Sequence, residues 1–295
     1  QKVFFHAEFS RPFDSFELKG DADRFARASF RTSDGEQVLV KVALSAVSAE
    51  GARANMEAEL PGWDFEATAK AADKAWNGEL SRIKAESSDP EILKVFYTAM
   101  YHAMVHPTLF CDVNGDYRGA DGAIHNAGRD TYTVFSLWDV YRAQMPLMSI
   151  VDPGRYADFV NTMIAVCDEQ GKLPVWHLWG CETDCMVGNP AIPVVADAIV
   201  KDIPGVDKNL AFAAIKKTAM LDDRGQGERR KYGFMPAETI HGALAEDMEC
   251  AIADGAAAAA ARSLGRHEDE EYFTRSSHSY RNYFDPQSLF MRGKY

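Results

Sequence analysis

Trp138, Trp176 and Trp179 are three of only five tryptophans in the chain, and carboxylates are interleaved with them. The first stands in S-L-W-D-V-Y-R, residues 136–142; the others stand in G-K-L-P-V-W-H-L-W-G-C-E-T-D-C-M-V-G, residues 171–188. An indole face stacks on the apolar C–H face of a pyranose, while carboxylates and guanidinium groups take up its hydroxyls. The residues that could grip a sugar are therefore Trp138, Asp139, Arg142, Trp176, His177 and Glu182. All but Trp138 also have a plainer reading. Asp139 could be a first-turn acid set against a helix dipole, and Arg142, three residues on, shares its helix face and could simply hold it in place. Trp176 and Trp179 could be core anchors, the commoner fate of large aromatics. Glu182 could bind substrate, brace its loop, or be a desolvated acid of raised pKa beside the indoles. His177 reads more readily as a satisfied hydrogen-bonding residue than as a ligand or acid.

Other chemistries fit less well. The cysteines, Cys111, Cys167, Cys181, Cys185 and Cys250, are odd in number, which is no disulfide framework. Cys181 and Cys185 are spaced C-x3-C near His177, but no second pair completes a zinc site, so buried thiols or one local bridge fit better. An EF-hand starting at Asp112 needs Gly at its sixth position and Glu at its twelfth, where Tyr117 and Ala123 stand; a turn is the better reading. Acids outnumber bases 44 to 32, for a net charge of −12, which opposes phosphate backbones as partners. No stretch of 18 apolar residues suits a membrane span. The chain opens on Gln1 without a signal-peptide pattern, as processing, trimming or an incomplete record would leave it.

The elements that must position these residues are mainly helical. Residues 2–60 read as short aromatic-rich strands, with a hairpin expected where Ser33-Asp34-Gly35-Glu36 joins residues 28–32 to residues 37–44. Helical spacing begins at Trp63, runs through Phe65, Ala69, Ala72, Trp76 and Leu80, and resumes after Asp89-Pro90 to about His106. Asn114-Gly115 predicts a tight hairpin. Further helices are expected at 136–150, 153–170, 190–203, 207–221, 243–264 and 267–282, with Gly171, Gly188 and Gly265 as C-caps and the alanine run 256–261 as close helix packing. About seven helices after residue 89, with the Trp and acid residues on the long loops, predict a mainly α chain. The expected architecture is an incomplete (α/α)6 toroid preceded by the terminal strands of a β-sandwich. The predicted division is residues 1–62 for the end of the sandwich, 63–88 for a helical linker, and 89–295 for the first half of the toroid.

Taken in order, the motifs resemble glycoside hydrolase family 92, the calcium-dependent exo-acting α-mannosidases. The matching stretches are A-E-F-S-R-P-F at residues 7–13, Ser136-Leu137-Trp138-Asp139 through Arg142, and Gly171-Lys172-Leu173-Pro174-Val175-Trp176. Glu182-Thr183 with Met186 and Gly188, Tyr232-Gly233-Phe234-Met235-Pro236, the helix from Leu244 to Gly265, and Asn282-Tyr283-Phe284-Asp285-Pro286 to Arg292 follow in the family's order. The resemblance covers nearly the whole chain. It implies an N-terminal β-sandwich, a helical linker and an (α/α)6 toroid with the site between them, and catalysis with inversion. It raises Asp139 to a sugar-hydroxyl ligand and implies a Ca2+ ion whose ligands it does not identify here.

An inverting glycosidase sets a protonated carboxyl and a water-activating carboxylate about 6.5–9.5 Å apart. The family's acid lies in a Glu-Gly-Asn-Ala-Trp-Gln-Tyr-like segment and its base in a later Gly-Asn-Asp/Glu-Asp-Cys-Gly-like segment, and neither occurs in these residues. The resemblance thus implies a fragment that carries part of the sugar pocket, no catalytic residue of its own, and no activity alone. The expected substrate is a mannoside of N-glycans or mannans, and the expected location a bacterial periplasm, cell surface or secreted fraction. One departure is clear: where the family shows a Ser-Val-Ser-x-Thr-Leu-Glu-Tyr-like helix start, this chain has Ala243-Leu244-Ala245-Glu246-Asp247-Met248-Glu249-Cys250. The competing readings are a non-catalytic carbohydrate-binding or structural helical module, and another (α/α)6 glycosidase.

Overall fold

The computed structural model describes residues 2–20 and 25–295; Gln1 and residues 21–24, the latter within the expected strand region, lie outside the described residues. Four strands come first: β1 (Phe4–Phe9), β2 (Ser15–Lys19), β3 (Phe25–Ser29) and β4 (Val40–Ser45). They pair antiparallel two by two, β1 with β4 from Phe4↔Ser45 to Phe9↔Val40, and β2 with β3. The turn at Ser33–Glu36 forms, with the Glu36 N–H donating to Ser33 O at 3.2 Å. The expected hairpin across it does not, because β3 turns back on β2 and β4 crosses to β1. The strand reading also fails at its end, where residues 49–59 are a helix, α1 (Ala49–Glu59). Ser48 caps it by accepting the Gly51 N–H, and Ala52 and Met56, four apart, bury one face.

Two helices lead to the main body. Asp64 caps α2 (Phe65–Leu80), and Asp89 with Pro90 at the first turn starts α3 (Pro90–Val105). Near its end α2 is held by Glu79, whose carboxylate takes both Arg155 nitrogens at 2.9 and 3.1 Å. Short strands β5 (Thr108–Leu109), β6 (Asp116–Arg118), β7 (Ile124–Asn126), β8 (Tyr132–Thr133) and β9 (Phe135–Ser136) follow. Asn114-Gly115 makes a tight turn closed by Gly115 N–H to Asp112 O, but the hairpin is β6 with β7, closed at residues 119–123.

The expected helix at 136–150 is two, α4 (Leu137–Val140) and α5 (Gln144–Val151). Pro146 has no N–H to continue the ladder back to Arg142, so the chain restarts, with Pro146 in a first turn where no such bond is needed. Then come α6 (Pro153–Gln170), capped by Asp152 and closed by Gly171 at φ 95°, strands β10 (Trp176–Leu178) and β11 (Cys181–Glu182), α7 (Ala191–Val200) and α8 (Lys208–Ala219). The short α9 (Gln226–Tyr232) has no counterpart in the sequence reading. Gly188 is no C-cap: it sits at φ 73° in the loop before α7. After α10 (Ala243–Ser263), the expected helix at 267–282 stops early as α11 (His267–Ser276), followed by a 3-10 turn (Ser279–Tyr283) and the pair β12 (Phe284–Asp285) and β13 (Phe290–Met291).

The core runs through α5, α6, α7, α8, α10 and α11, with Tyr156, Phe159, Met163, Ile192, Phe212 and Phe273 buried in one continuous cluster. Ala253, Ala257, Ala260 and Ala261 of α10 are buried in it, and their size lets α7 and α11 lie close against that helix. These helical hairpins present their connecting loops to the candidate site.

Candidate sugar-binding site

A three-stranded antiparallel sheet in the order β11–β10–β9 joins the two tryptophan segments. In its register Trp176 lies opposite Ser136, and His177 lies opposite both Phe135 and Glu182. The backbone of the Trp-Asp segment and that of the Trp-Glu loop are thereby neighbours, although some forty residues separate them in sequence.

The side chains divide by role. Asp139 is exposed in the first turn of α4; one carboxylate oxygen accepts the Ser136 hydroxyl, and the other meets no donor among the described residues. Trp138 and Trp176 are partly buried, Trp138 leaning on the main core with its Nε1 buried and without an acceptor. Trp179 faces the other way: its ring lies edge-on to Phe110 at 5.7 Å, and its backbone N–H donates to Thr133 Oγ1 at 2.7 Å. Arg142 does not hold Asp139; its guanidinium reaches Glu249 on α10 at 2.5 Å. The Glu249 carboxylate also accepts the Tyr141 hydroxyl at 2.8 Å. Burial and that carboxylate push the Tyr141 pKa up to about 12, so it remains a donor.

Glu182 is a brace. Its oxygens accept four backbone N–H groups, from Val175 and Trp176 at 2.8 Å and from Thr183 and Asp184 at 2.9 Å. His177 is 2% exposed, with Nδ1 at 3.4 Å from Thr133 Oγ1 and Nε2 unpartnered. Desolvation pulls its pKa down to about 4, so the ring is neutral at ordinary pH. Inside the core, it has no open path to a sugar.

Sequence reasoning passed over a set of charged residues that close the loop from the α8 and α10 sides. Lys172 donates to Asp184 at 2.9 and 3.0 Å and to Asp223 at 2.6 Å. Arg224 donates to Gly188 O at 3.2 Å and to Met186 O, and pairs with Glu246 at 3.1 Å and Asp184 at 3.6 Å. Burial raises the Glu246 pKa against the pull of Arg224. The signal available was the pair Glu246 and Glu249, one turn apart on a helix whose opening departs from the motif expected there. Among the described residues no group of three or more His, Cys, Asp or Glu side chains gathers as a metal site. Apart from Asp139, the acids of the rim are committed to Lys172, Arg224, Arg142 and backbone donors, so they do not fit a calcium ion. All five cysteines are free thiols. The cavity of about 420 Å³ bounded by Arg229, Arg275 and His278 shares none of these residues. The candidate site is an open rim.

Residues 51–295 match the model of the "Glycosyl hydrolase family 92 catalytic domain". Among solved structures, the family GH92 α-mannosidase BT3965 from Bacteroides thetaiotaomicron is 37% identical at a TM-score of 0.92, covering 99% of this chain and 42% of that one. The same protein in complex with mannoimidazole gives 36% and 0.90, over 99% of this chain and 41% of that one. The family GH92 inverting mannosidase BT2199 from the same species gives 27% and 0.88, over 99% and 43%. A protein of Arthroderma benhamiae named an uncharacterized secreted glycosidase is 26% identical over 96% of this chain and 35% of its own length. The chain thus spans about two fifths of the solved relatives and about a third of the curated one.

Proposed function

Since the chain belongs to glycosyl hydrolase family 92, and its helical hairpins are part of an (α/α)6 toroid, we propose that it supplies the sugar-gripping side of an inverting exo-α-mannosidase acting on N-glycan or mannan mannosides. The observation that supports this reading is the β9–β10–β11 sheet, which sets Trp176 opposite Ser136, the residue whose hydroxyl donates to Asp139. An indole for the ring face and a carboxylate for the hydroxyls are what a pyranose needs.

The proton-transfer carboxylates are proposed to lie outside the described residues. Glu182 is saturated by backbone donors, and Glu246 and Glu249 are tied to arginines. The division at residues 62 and 88, an exported location and calcium dependence of the whole enzyme belong to the same proposal. Export draws on the relative named as secreted. The 295 residues alone are proposed to be inactive.

The test is hydrolysis of aryl α-mannoside by the full-length protein, with aryl α-glucoside and β-mannoside as controls, the product anomer read by NMR, and chelator added in a parallel arm. The expected result is mannoside-selective release of β-mannose that chelator suppresses. A glucoside preference would move the protein to another toroid glycosidase activity, and hydrolysis by the 295-residue chain alone would overturn the placement of the catalytic carboxylates.

A further inference from the structure

The two segments of the candidate site do not rest only on their shared sheet. Both are also tied to α10, through acids one turn apart. Glu249 takes Arg142 and Tyr141, which follow Asp139 by three and two residues. Glu246 takes Arg224, which in turn grips the carbonyls of Met186 and Gly188 and approaches Asp184. These groups are sheltered, with 15% of the Glu249 side chain and 10% of the Glu246 side chain exposed.

Direct contact reinforces the ties. A Cβ on Gly188 would fall 2.5 Å from Glu249 Cβ and 3.2 Å from its carbonyl carbon, so the loop's end lies flush against α10 where only glycine fits. Gly188 also has φ 73°. Arg224 and Asp184, at φ 52° and 49°, hold left-handed backbone without being glycine. That conformation costs about 1–3 kcal/mol and persists when surrounding contacts impose it. Here those contacts are the Arg224 fan and the Lys172–Asp184 pair.

We propose that Glu249 and Glu246 are positioning residues: together they use one turn of α10 as a gauge that fixes the Asp139 segment relative to the Trp176–Gly188 loop. This rests on the mannosidase reading for its functional consequence, though not for its geometry. Neither acid is assigned a contact with substrate. Misplacing a binding group by about 1 Å can cost up to about a hundredfold in rate, and the side chains that lock the binding groups set that tolerance.

The test uses the full-length protein carrying Glu249→Ala, Glu249→Gln or Arg142→Gln, with Arg53→Ala on exposed α1 as control. The readouts are kcat and KM on aryl α-mannoside, mannoimidazole affinity by calorimetry, melting temperature, and hydrogen exchange of residues 136–142 and 182–188. Glu249→Ala should lower kcat/KM and mannoimidazole affinity on the order of tenfold to a hundredfold. Glu249→Gln keeps one acceptor oxygen for Tyr141 but loses the pair with Arg142, so its loss should fall between wild type and Glu249→Ala. Both segments should exchange faster in Glu249→Ala at an unchanged melting temperature. If Glu249→Ala does not fold, the same pattern is expected of Arg142→Gln. Unchanged kcat/KM in a folded Glu249→Ala, or a lowered melting temperature alone, overturns the proposal. If the wild type neither cleaves mannosides nor binds mannoimidazole, the mannosidase reading falls. Hydrogen exchange then decides the gauge by itself, faster in both segments supporting it and unchanged refuting it.

Discussion

Asp139 and His177 differ in burial more than in any feature of their sequence surroundings, and burial separates their chemistry. Asp139 keeps an oxygen open at the rim and contributes little packing, so Asp139→Ala should reduce mannoside turnover by about a hundredfold or more while the melting temperature stays nearly constant. Wild-type turnover in that variant would remove Asp139 from the site. His177 is buried neutral with a pKa near 4, against about 6.5 when unfolded. Between those values the unfolded chain binds the extra proton, so its contribution is fully present above pH 6.5 and is lost as pH falls toward 4, up to about 3 kcal/mol in all. Denaturant melts at pH 7 and pH 4.5 should show a smaller acid loss in His177→Phe than in wild type; equal losses would refute this account of His177.

At the scale of elements, Glu182 shows how one side chain can fold a loop. Glu182→Ala removes the acceptor of the sheltered Val175 and Trp176 N–H groups, while the exposed Thr183 and Asp184 N–H groups can turn to Trp176 O and to water; at about 1–3 kcal/mol per buried unsatisfied donor the variant should lose about 2 kcal/mol or more. Faster hydrogen exchange in residues 175–184 would confirm it, and native protection would not. The helices were legible where caps and periodicity agreed: Asp89-Pro90 and Asp152-Pro153 mark the starts of α3 and α6, and Gly171 marks an end. The split at Pro146 and the short α9 were not, because a short break and a seven-residue helix carry too little periodicity to read. The first strands were legible as strands but not in their pairing, since the choice between β3–β4 and β1–β4 depends on partners far along the chain. For the site, the residue types and the juxtaposition of the tryptophan segments could be read. The clasp of Lys172, Arg224, Glu246 and Glu249 could not, because it exists only once α10 lies beside the loop.

At the scale of the molecule, a buried ionic cluster joins the later elements. Arg229 of α9 pairs at 2.6 Å with both Asp247 and Asp254 of α10 and donates to Ser276 and Ser279, while Asp247 also accepts the Tyr283 hydroxyl at 2.7 Å. Removing one member strands a buried charge, so Asp247→Ala should cost about 3–5 kcal/mol; a loss below about 1 kcal/mol would show the cluster to be expendable. The two aspartates of that cluster, the two acids of the rim and the alanine surface all belong to α10. Its outward positions reduce to a stripe at Ala245, Ile252, Gly255, Ala259, Arg262 and Ser263. In an exhaustive substitution screen, tolerance on this helix should be confined to that stripe.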